Sequence, residues 1–306
     1  MDLLQHEILF KNAILSHLSH SELLKFRPIN KYLKLFIKSH PLNKNRLYYQ
    51  FSGYYGPYVS LDEANYASGR DSDYSGPDVI TCHLSMIEDL DRRLIAGIEP
   101  QSHRESSALT WFSKISPSLL GKTVSVVEFG GGIGIAAALL SAEFPMFEFK
   151  YKIIDQPWLV EMMSNSVLQW SPNLDISFSS ENVSTPGEIV DVLFSSCAMH
   201  YLPDAHSVIR AWRRYARFVV IDRFPISNKG ETFVANQVTG QDSYNSTYPA
   251  HYYSWDWLYE VFEIKEIKGF VDNWIQPEDN VVIIDKTSGH IYDSFQLRGF
   301  LYSTQT

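Results

Sequence analysis

Residues 124–138 read Val-Ser-Val-Val-Glu-Phe-Gly-Gly-Gly-Ile-Gly-Ile-Ala-Ala-Ala, in which an apolar run reaches Glu128, passes through Gly130, Gly131, Gly132 and Gly134, and continues rich in alanine. This is a strand feeding a helix through a turn almost devoid of side chains. Without Cβ atoms the backbone can approach a ligand closely, and the helix start offers amides with no intrahelical acceptor, so a nucleotide-type ligand is the natural occupant. Spacing separates two ligand classes. A dinucleotide fingerprint G-x-G-x-x-G begun at Gly130 needs a small residue at position 135, where Ile135 stands. A second acid, Asp155, ends an apolar run 21 residues beyond Gly134. There a carboxylate can accept both hydroxyls of a ribose, and its alternative role is that of a turn residue ahead of Pro157.

Such residues need a scaffold. Apolar runs over 123–129, 149–154, 175–178, 190–195 and 217–222 alternate with helical patterns over 135–144, 158–168 and 204–216. The alternation predicts an α/β fold, a mostly parallel sheet with helices on both faces. Further on, 255–262 reads as a helix and 263–270 and 280–286 as strands, whose short connection favours an antiparallel pair at the sheet's end. Upstream, Leu3, Ile8, Ile14, Leu18, Leu23 and Phe36 belong to a three- and four-residue periodicity that predicts short helices. Three regions follow: 1–50, a helical region acting as a cap or dimerisation element; 51–120, a linker and helices covering a substrate; and 121–306, the ligand-binding α/β domain.

The run Glu128-x-Gly130-x-Gly132-x-Gly134, an acid at the strand's end followed by alternating glycines, resembles motif I of the class I S-adenosylmethionine-dependent methyltransferases. The resemblance implies a Rossmann-like seven-stranded sheet with S-adenosylmethionine as cofactor. It implies further that Gly130, Gly131, Gly132 and Gly134 line the cofactor, with Glu128 near its methionine moiety, Asp155 at its ribose and Gln156 among the cofactor-binding residues. Glu181 and Asn182 would then lie near adenine, and Ser195 and Ser196 near the methyl group. A carboxylate beside the loop suits a ligand that carries ammonium and sulfonium charges. Over roughly residues 50–286, the segments Phe51–Ala64, Tyr151–Pro157, Ser195-Ser196 with Tyr201-Leu-Pro203, Val220–Arg223 and Tyr248-Pro249 are similar to a methyltransferase family associated with bacterial surface-polysaccharide gene clusters. His200 departs from that family's pattern.

Methyl transfer is an in-line displacement at carbon, so the protein aligns the acceptor and, for a hydroxyl, removes a proton. His200 at the end of the fourth strand and His251 in the aromatic segment before the last helix are candidate bases with pKa values near neutrality, or else packing residues. Arg223, ending the fifth strand, is a candidate clamp for an anionic group on the acceptor, or the partner of Asp222. Tyr248 and Tyr252 could wall a flat or sugar-containing acceptor, with Trp257 buried, and Tyr54 and Tyr55, flanked by glycines, could belong to a lid over it. The favoured reading is methylation of a small-molecule or sugar-containing acceptor, at oxygen. A cofactor-binding interaction module without catalysis and a nicotinamide-dependent oxidoreductase stand as alternatives.

Composition narrows the partners. Two cysteines, Cys82 and Cys197, supply neither a disulfide framework nor a Cys-based zinc site, and no metal is expected. The net charge is −9: eight basic against three acidic residues in 1–50, then 18 basic against 32 acidic residues. An acidic body disfavours nucleic acid. No apolar run approaches the roughly 18–20 residues of a membrane span and no secretion signal opens the chain, so a cytoplasmic protein is expected. Its partners would be a small-molecule acceptor and, through the N-terminal helices, a second copy of the chain.

Overall fold

The computed structural model describes residues 53–68, 76–119, 123–181, 189–238, 247–275, 281–285 and 291–304. The helices expected over 1–50 and the adenine candidate Asn182 lie outside them. The chain divides into two compact units that interleave in sequence: 75–232, 250–281 and 295–306 form the larger, and the remaining segments form the smaller.

In the larger unit, β2 (Thr123–Phe129), β3 (Glu148–Ile154), β4 (Leu174–Ser179), β5 (Val190–Ser196) and β6 (Ala216–Ser227) pair in parallel in the order β4-β3-β2-β5-β6. The strand β11 (Ile291–Ser303) runs antiparallel to β6, and β9 (Asp272–Ile275) antiparallel to β11. Seven strands, mostly parallel and closed at one side by antiparallel neighbours, are the fold class expected. The intervening helices are α2 (Pro77–Ala96), α3 (His103–Leu119), α4 (Ile135–Glu143), α5 (Pro157–Ser164), α6 (Ala205–Tyr215) and α7 (Trp255–Phe262).

Both faces of this sheet are buried, which is why its strands read as near-continuous apolar runs rather than alternating ones. On one face Val124, Val126, Phe149, Tyr151, Val192 and Phe194 pack against Trp111 and Phe112 of α3 and Leu140 of α4. On the other, Leu193, Val219 and Ile221 meet Trp212 of α6 and Leu258 and Phe262 of α7. Two caps fix where helices begin: the Asp204 carboxylate accepts the Ser207 amide at 3.0 Å and the Ser254 hydroxyl accepts the Trp257 amide at 3.1 Å.

The end of the sheet differs in detail from the sequence reading. Residues 263–270 form a turn and one 3-10 turn rather than a strand, because α7 ends at Glu263 in a left-handed conformation and Ile267–Gly269 coil tightly. The antiparallel partner of β6 is β11, whose polar and aromatic sequence gives no apolar run. The smaller unit holds β1 (Gly53–Tyr58), which pairs in parallel with β10 (Val281–Asp285) and antiparallel with β7 (Phe233–Val238). The helix α1 (Leu61–Ser68) is joined to β7 by Asn236 Nδ2, which donates to the Ala64 carbonyl at 2.8 Å. These pairings cross the expected boundary at 120: residues 76–119 group with the sheet, and 233–238 with β1.

Candidate functional site

The carboxyl ends of β2 and β5 diverge, since β2 connects onward to β3 on one side while β5 lies on the other. In open α/β sheets this switch point leaves a crevice in which ligands bind. The glycine loop sits there. Gly130, Gly132 and Gly134 all have positive φ, at +71°, +59° and +87°, a backbone course that other residues adopt only with strain. A Cβ at Gly130 would lie 2.2 Å from the Cβ of Ala198, and one at Gly131 would lie 2.6 Å from Glu128 Oε2. A Cβ at Gly132 would meet nothing within 4 Å, so at this residue the loop opens onto free space.

Two carboxylates frame the loop. Asp155 follows β3, and its Oδ2 accepts the Gly132 amide at 2.9 Å while Oδ1 accepts the Gln156 amide at 2.7 Å. Burial pushes its pKa up, against the two amide hydrogen bonds and the charge of His83, which pull it down. Glu128 is 3% exposed beneath Gly131, and the Tyr151 hydroxyl donates to its Oε2 at 2.9 Å. Burial raises it to about 8, opposed by the Tyr151 hydrogen bond and reinforced by Asp155. Without a nearby cation Glu128 therefore holds its proton at neutral pH, and an arriving cation would favour its ionised form.

The strand ends beside the loop are bent in concert. Ser196 of β5 pairs with Asp222 of β6, and the next residues, Cys197 and Arg223, both take positive φ, +56° and +52°. Opposite, β11 passes from Arg298 to Phe300 while β6 passes from Phe224 to Ile221, so β6 carries one extra residue. This β-bulge re-aims the chain at Asp222 and Arg223. Asp222 anchors it, accepting Trp274 Nε1 at 2.9 Å and Ser196 Oγ at 3.2 Å. Gly299 leaves room for Trp274, whose ring lies 1.9 Å from where a Cβ would stand.

Beyond the bulge the chain returns. The Tyr253 amide donates to the Pro225 carbonyl at 3.1 Å and the Ser227 amide to the Tyr253 carbonyl at 2.8 Å, which brings His251 alongside. His200, in the 3-10 turn after β5, is 4% exposed, and burial, the Arg223 charge and His251 together hold its pKa down to about 3. The near-neutral base expected at this position is thus a neutral imidazole, because a buried ring beside a guanidinium does not retain a proton. Burial also lowers His251, partly offset by the carbonyls of His200 and Leu202. The Nδ1 atoms of both histidines are buried, with no hydrogen-bond partner among the described residues. His200, His251 and Arg223 therefore form one cluster at the sheet's carboxyl edge.

Other candidates lie differently. The Ser195 hydroxyl is buried, with no hydrogen-bond partner among the described residues. Gln156 is exposed, as is Glu181, whose carboxylate pairs with Lys152 at 2.6 Å and whose pKa that lysine lowers. Tyr252, in the larger unit, is buried with its ring edge-on to Phe295, and Trp257, expected to be buried, is half-buried. In the smaller unit Tyr55 and Tyr248 are buried and Tyr54 is half-buried.

Two residues beside the loop escaped the sequence reading. Tyr151 is diagonal to Glu128 across the β2–β3 ladder, a relation visible only once register is known. His83, on α2, is 3% exposed, shares its Nδ1 with the Val79 carbonyl at 2.9 Å and sets its ring edge-on to Trp158 at 5.1 Å. A lone histidine within a helical pattern carries no signal of its neighbour Asp155. Among the described residues no cluster of three or more His, Cys, Asp or Glu is arranged to hold a metal, and no helix is long and apolar enough to cross a membrane.

No family model and no curated protein sequence matches the chain. Solved structures similar to it include an S-adenosylmethionine-dependent methyltransferase from Clostridium acetobutylicum ATCC 824, at 11% identity over 72% of this chain and 98% of that one, with a TM-score of 0.43. The N-terminal domain of EvdMO1 with S-adenosylhomocysteine bound is similar at 8% identity over 71% and 96%, with a TM-score of 0.45. Magnesium protoporphyrin IX methyltransferase from Synechocystis PCC 6803 with S-adenosylhomocysteine bound is similar at 11% identity over 74% and 99%, with a TM-score of 0.40.

Proposed function

We propose that the protein is an S-adenosylmethionine-dependent methyltransferase acting on a small-molecule or sugar-containing acceptor, at oxygen. The observation that carries this reading is Gly132: a positive-φ residue at the switch point, its amide fixed by Asp155, with open space where a side chain would be. A buried acid beneath the loop and an aspartate at the next strand end suit a ligand with a cationic amino-acid part and a ribose. Ile135 in place of a third fingerprint glycine disfavours a dinucleotide.

Bound there, S-adenosylmethionine would supply a methyl carbon activated by its sulfonium sulfur, the carbon–sulfur bond breaking as the oxygen–carbon bond forms so that S-adenosylhomocysteine leaves. The chain's own residues do the rest. Asp155 would accept the ribose hydroxyls with the lone pairs its two amide bonds leave free, and Glu128 would ionise against the ligand's positive charge. Arg223, fixed by the bulge, holds an anionic or polar group of the acceptor. His251, half-buried, accepts the acceptor hydroxyl's proton as the new bond forms, and His200, buried beside it and neutral, holds His251 in place. The similarity of 50–286 to a family associated with surface-polysaccharide genes favours sugar hydroxyls as the first acceptors to try.

The test is methyl transfer itself. The full chain, given S-adenosylmethionine labelled in its methyl group and a panel of hydroxylated sugars and phenols, should yield one labelled product, and Gly132→Arg should yield none. Label transfer that persists undiminished in Gly132→Arg would rule out the glycine loop as the cofactor site.

A further inference from the structure

The opposite edge of the same sheet carries a second constellation. Helix α6 leaves the carboxyl end of β5 and returns to the start of β6 at Ala216, so its last turn, with Arg213 and Arg214, lies at the sheet's amino edge. The end of β11 lies there too, since Ser303 pairs with Phe218. A cavity of about 210 Å³ opens between them, lined by Arg210, Arg213, Arg214, Glu263, Tyr302 and Thr304. That is far more than the about 10–15 Å³ one water needs.

The side chains in this cavity already show what it holds. One carboxylate, that of Glu263, is divided between two guanidinium groups: Arg210 Nη2 lies 3.1 Å from Oε1 and Arg213 Nη2 lies 2.9 Å from Oε2. Arg213 is fixed from behind, donating through Nη1 to the Val261 carbonyl at 3.1 Å, with its guanidinium carbon 5.5 Å from the centre of the Tyr302 ring. Its Nε is buried, with no hydrogen-bond partner among the described residues. Arg214 is exposed, with no hydrogen bond or ion pair among the described residues. Glu263 reaches this seat from a left-handed backbone, φ +56°, at the end of α7, where glycine is the usual occupant.

Three arginines facing one carboxylate leave two positive charges uncompensated, in a chain whose net charge is −9. Basic residues in a helix's last turn are favourable in themselves, which accounts for Arg213 and Arg214 singly. It does not account for Arg210, for the shared carboxylate or for the cavity. Guanidinium forks match tetrahedral oxyanions as well as carboxylates, and a phosphoryl group offers three oxygens where Glu263 offers two. We infer that this cavity binds a phosphoryl group, with Glu263 as an internal competitor for the arginines. The cluster is too small for a polyanion such as nucleic acid, which needs a stripe of basic residues. Nothing in the inference depends on methyl transfer, and the cavity lies at the sheet edge away from the glycine loop.

The experiment is calorimetric titration of the full chain, in dilute chloride buffer, with orthophosphate and with phenyl phosphate. One equivalent should bind with Kd of about 1 mM or tighter. Arg214→Gln, at an exposed position, should weaken that binding about fivefold or more. Glu263→Gln should tighten it a few-fold, since an exposed ion pair contributes little to hold its partners back. Equal affinity for the two probes would identify free phosphate as the ligand class, and preference for the ester a phosphorylated metabolite. Absence of saturable binding to the wild-type chain would overturn the inference, as would binding indifferent to both substitutions in proteins with wild-type circular dichroism.

Discussion

Replacing Glu128 by glutamine isolates the electrostatics of the glycine loop. Glu128 is buried, and its pKa rises from an ordinary 4.5 to about 8. Between those two values the folded protein keeps a proton that the unfolded chain has released, so stability falls as pH rises through the window, by up to about 1.36 kcal/mol per pH unit. At pH 5 the loss is about 1 kcal/mol and at pH 7 about 3 kcal/mol, levelling off above pH 8 near 5 kcal/mol. Glutamine has nearly the same shape and cannot ionise, so it escapes this loss while still accepting the Tyr151 hydroxyl. The stability of Glu128→Gln relative to wild type should therefore increase by about 2 to 3 kcal/mol between pH 5 and pH 7. Urea unfolding of both proteins at pH 5, 6 and 7, compared through their midpoints and slopes, measures it directly. A difference between the two proteins that stays constant with pH would refute the reasoning, because it would mean that Glu128 ionises alike in the folded and unfolded chains.

Further expectations concern neighbouring residues. Gly130→Ala should destabilise by about 3 kcal/mol, since its Cβ would strike Ala198 at a positive φ, whereas Gly132→Ala should cost only the backbone strain of about 1 kcal/mol; thermal unfolding of the two variants ranks them. Asp155→Asn should weaken S-adenosylhomocysteine binding about tenfold or more, read by titration, because an amide offers a neutral and partly donating group where a carboxylate accepts twice. His200, held down to about 3, should contribute no ionisation to the pH profile of methyl transfer between pH 5 and 8. It should make the fold acid-sensitive instead, since below about 6.5 the unfolded chain takes up a proton that the folded one refuses; His200→Gln should lessen that sensitivity in unfolding scans.

Much of this arrangement is legible in the residues themselves, and the reasons differ from place to place. The strand over 123–129 and the helix beginning at 135 are marked by an apolar run, a glycine cluster and an alanine-rich continuation, and both begin where the sequence indicates. Strands buried on both faces announce themselves by composition alone. β11 does not: Ile-Tyr-Asp-Ser-Phe-Gln-Leu-Arg-Gly-Phe alternates imperfectly, and its pairing with β6 is decided by long-range contacts and by a bulge at Arg223. β1, with two glycines and a proline among tyrosines, reads as a loop because its strand character comes from β7 and β10 beside it. At the candidate site, Glu128 and Asp155 are recognisable from their offsets to the glycines. The protonation of Glu128 and the low proton affinity of His200 are not, because both follow from burial, which no local pattern encodes.

The measurement closest to the central claim is calorimetric titration of the full chain with S-adenosylhomocysteine, with NAD and with S-adenosylmethionine. Saturable binding of the two adenosyl ligands at one equivalent in the micromolar range, about −8 kcal/mol, with no NAD binding, is the result the glycine loop predicts. Binding of NAD in preference to both, or no binding of either adenosyl ligand to folded protein, would contradict it.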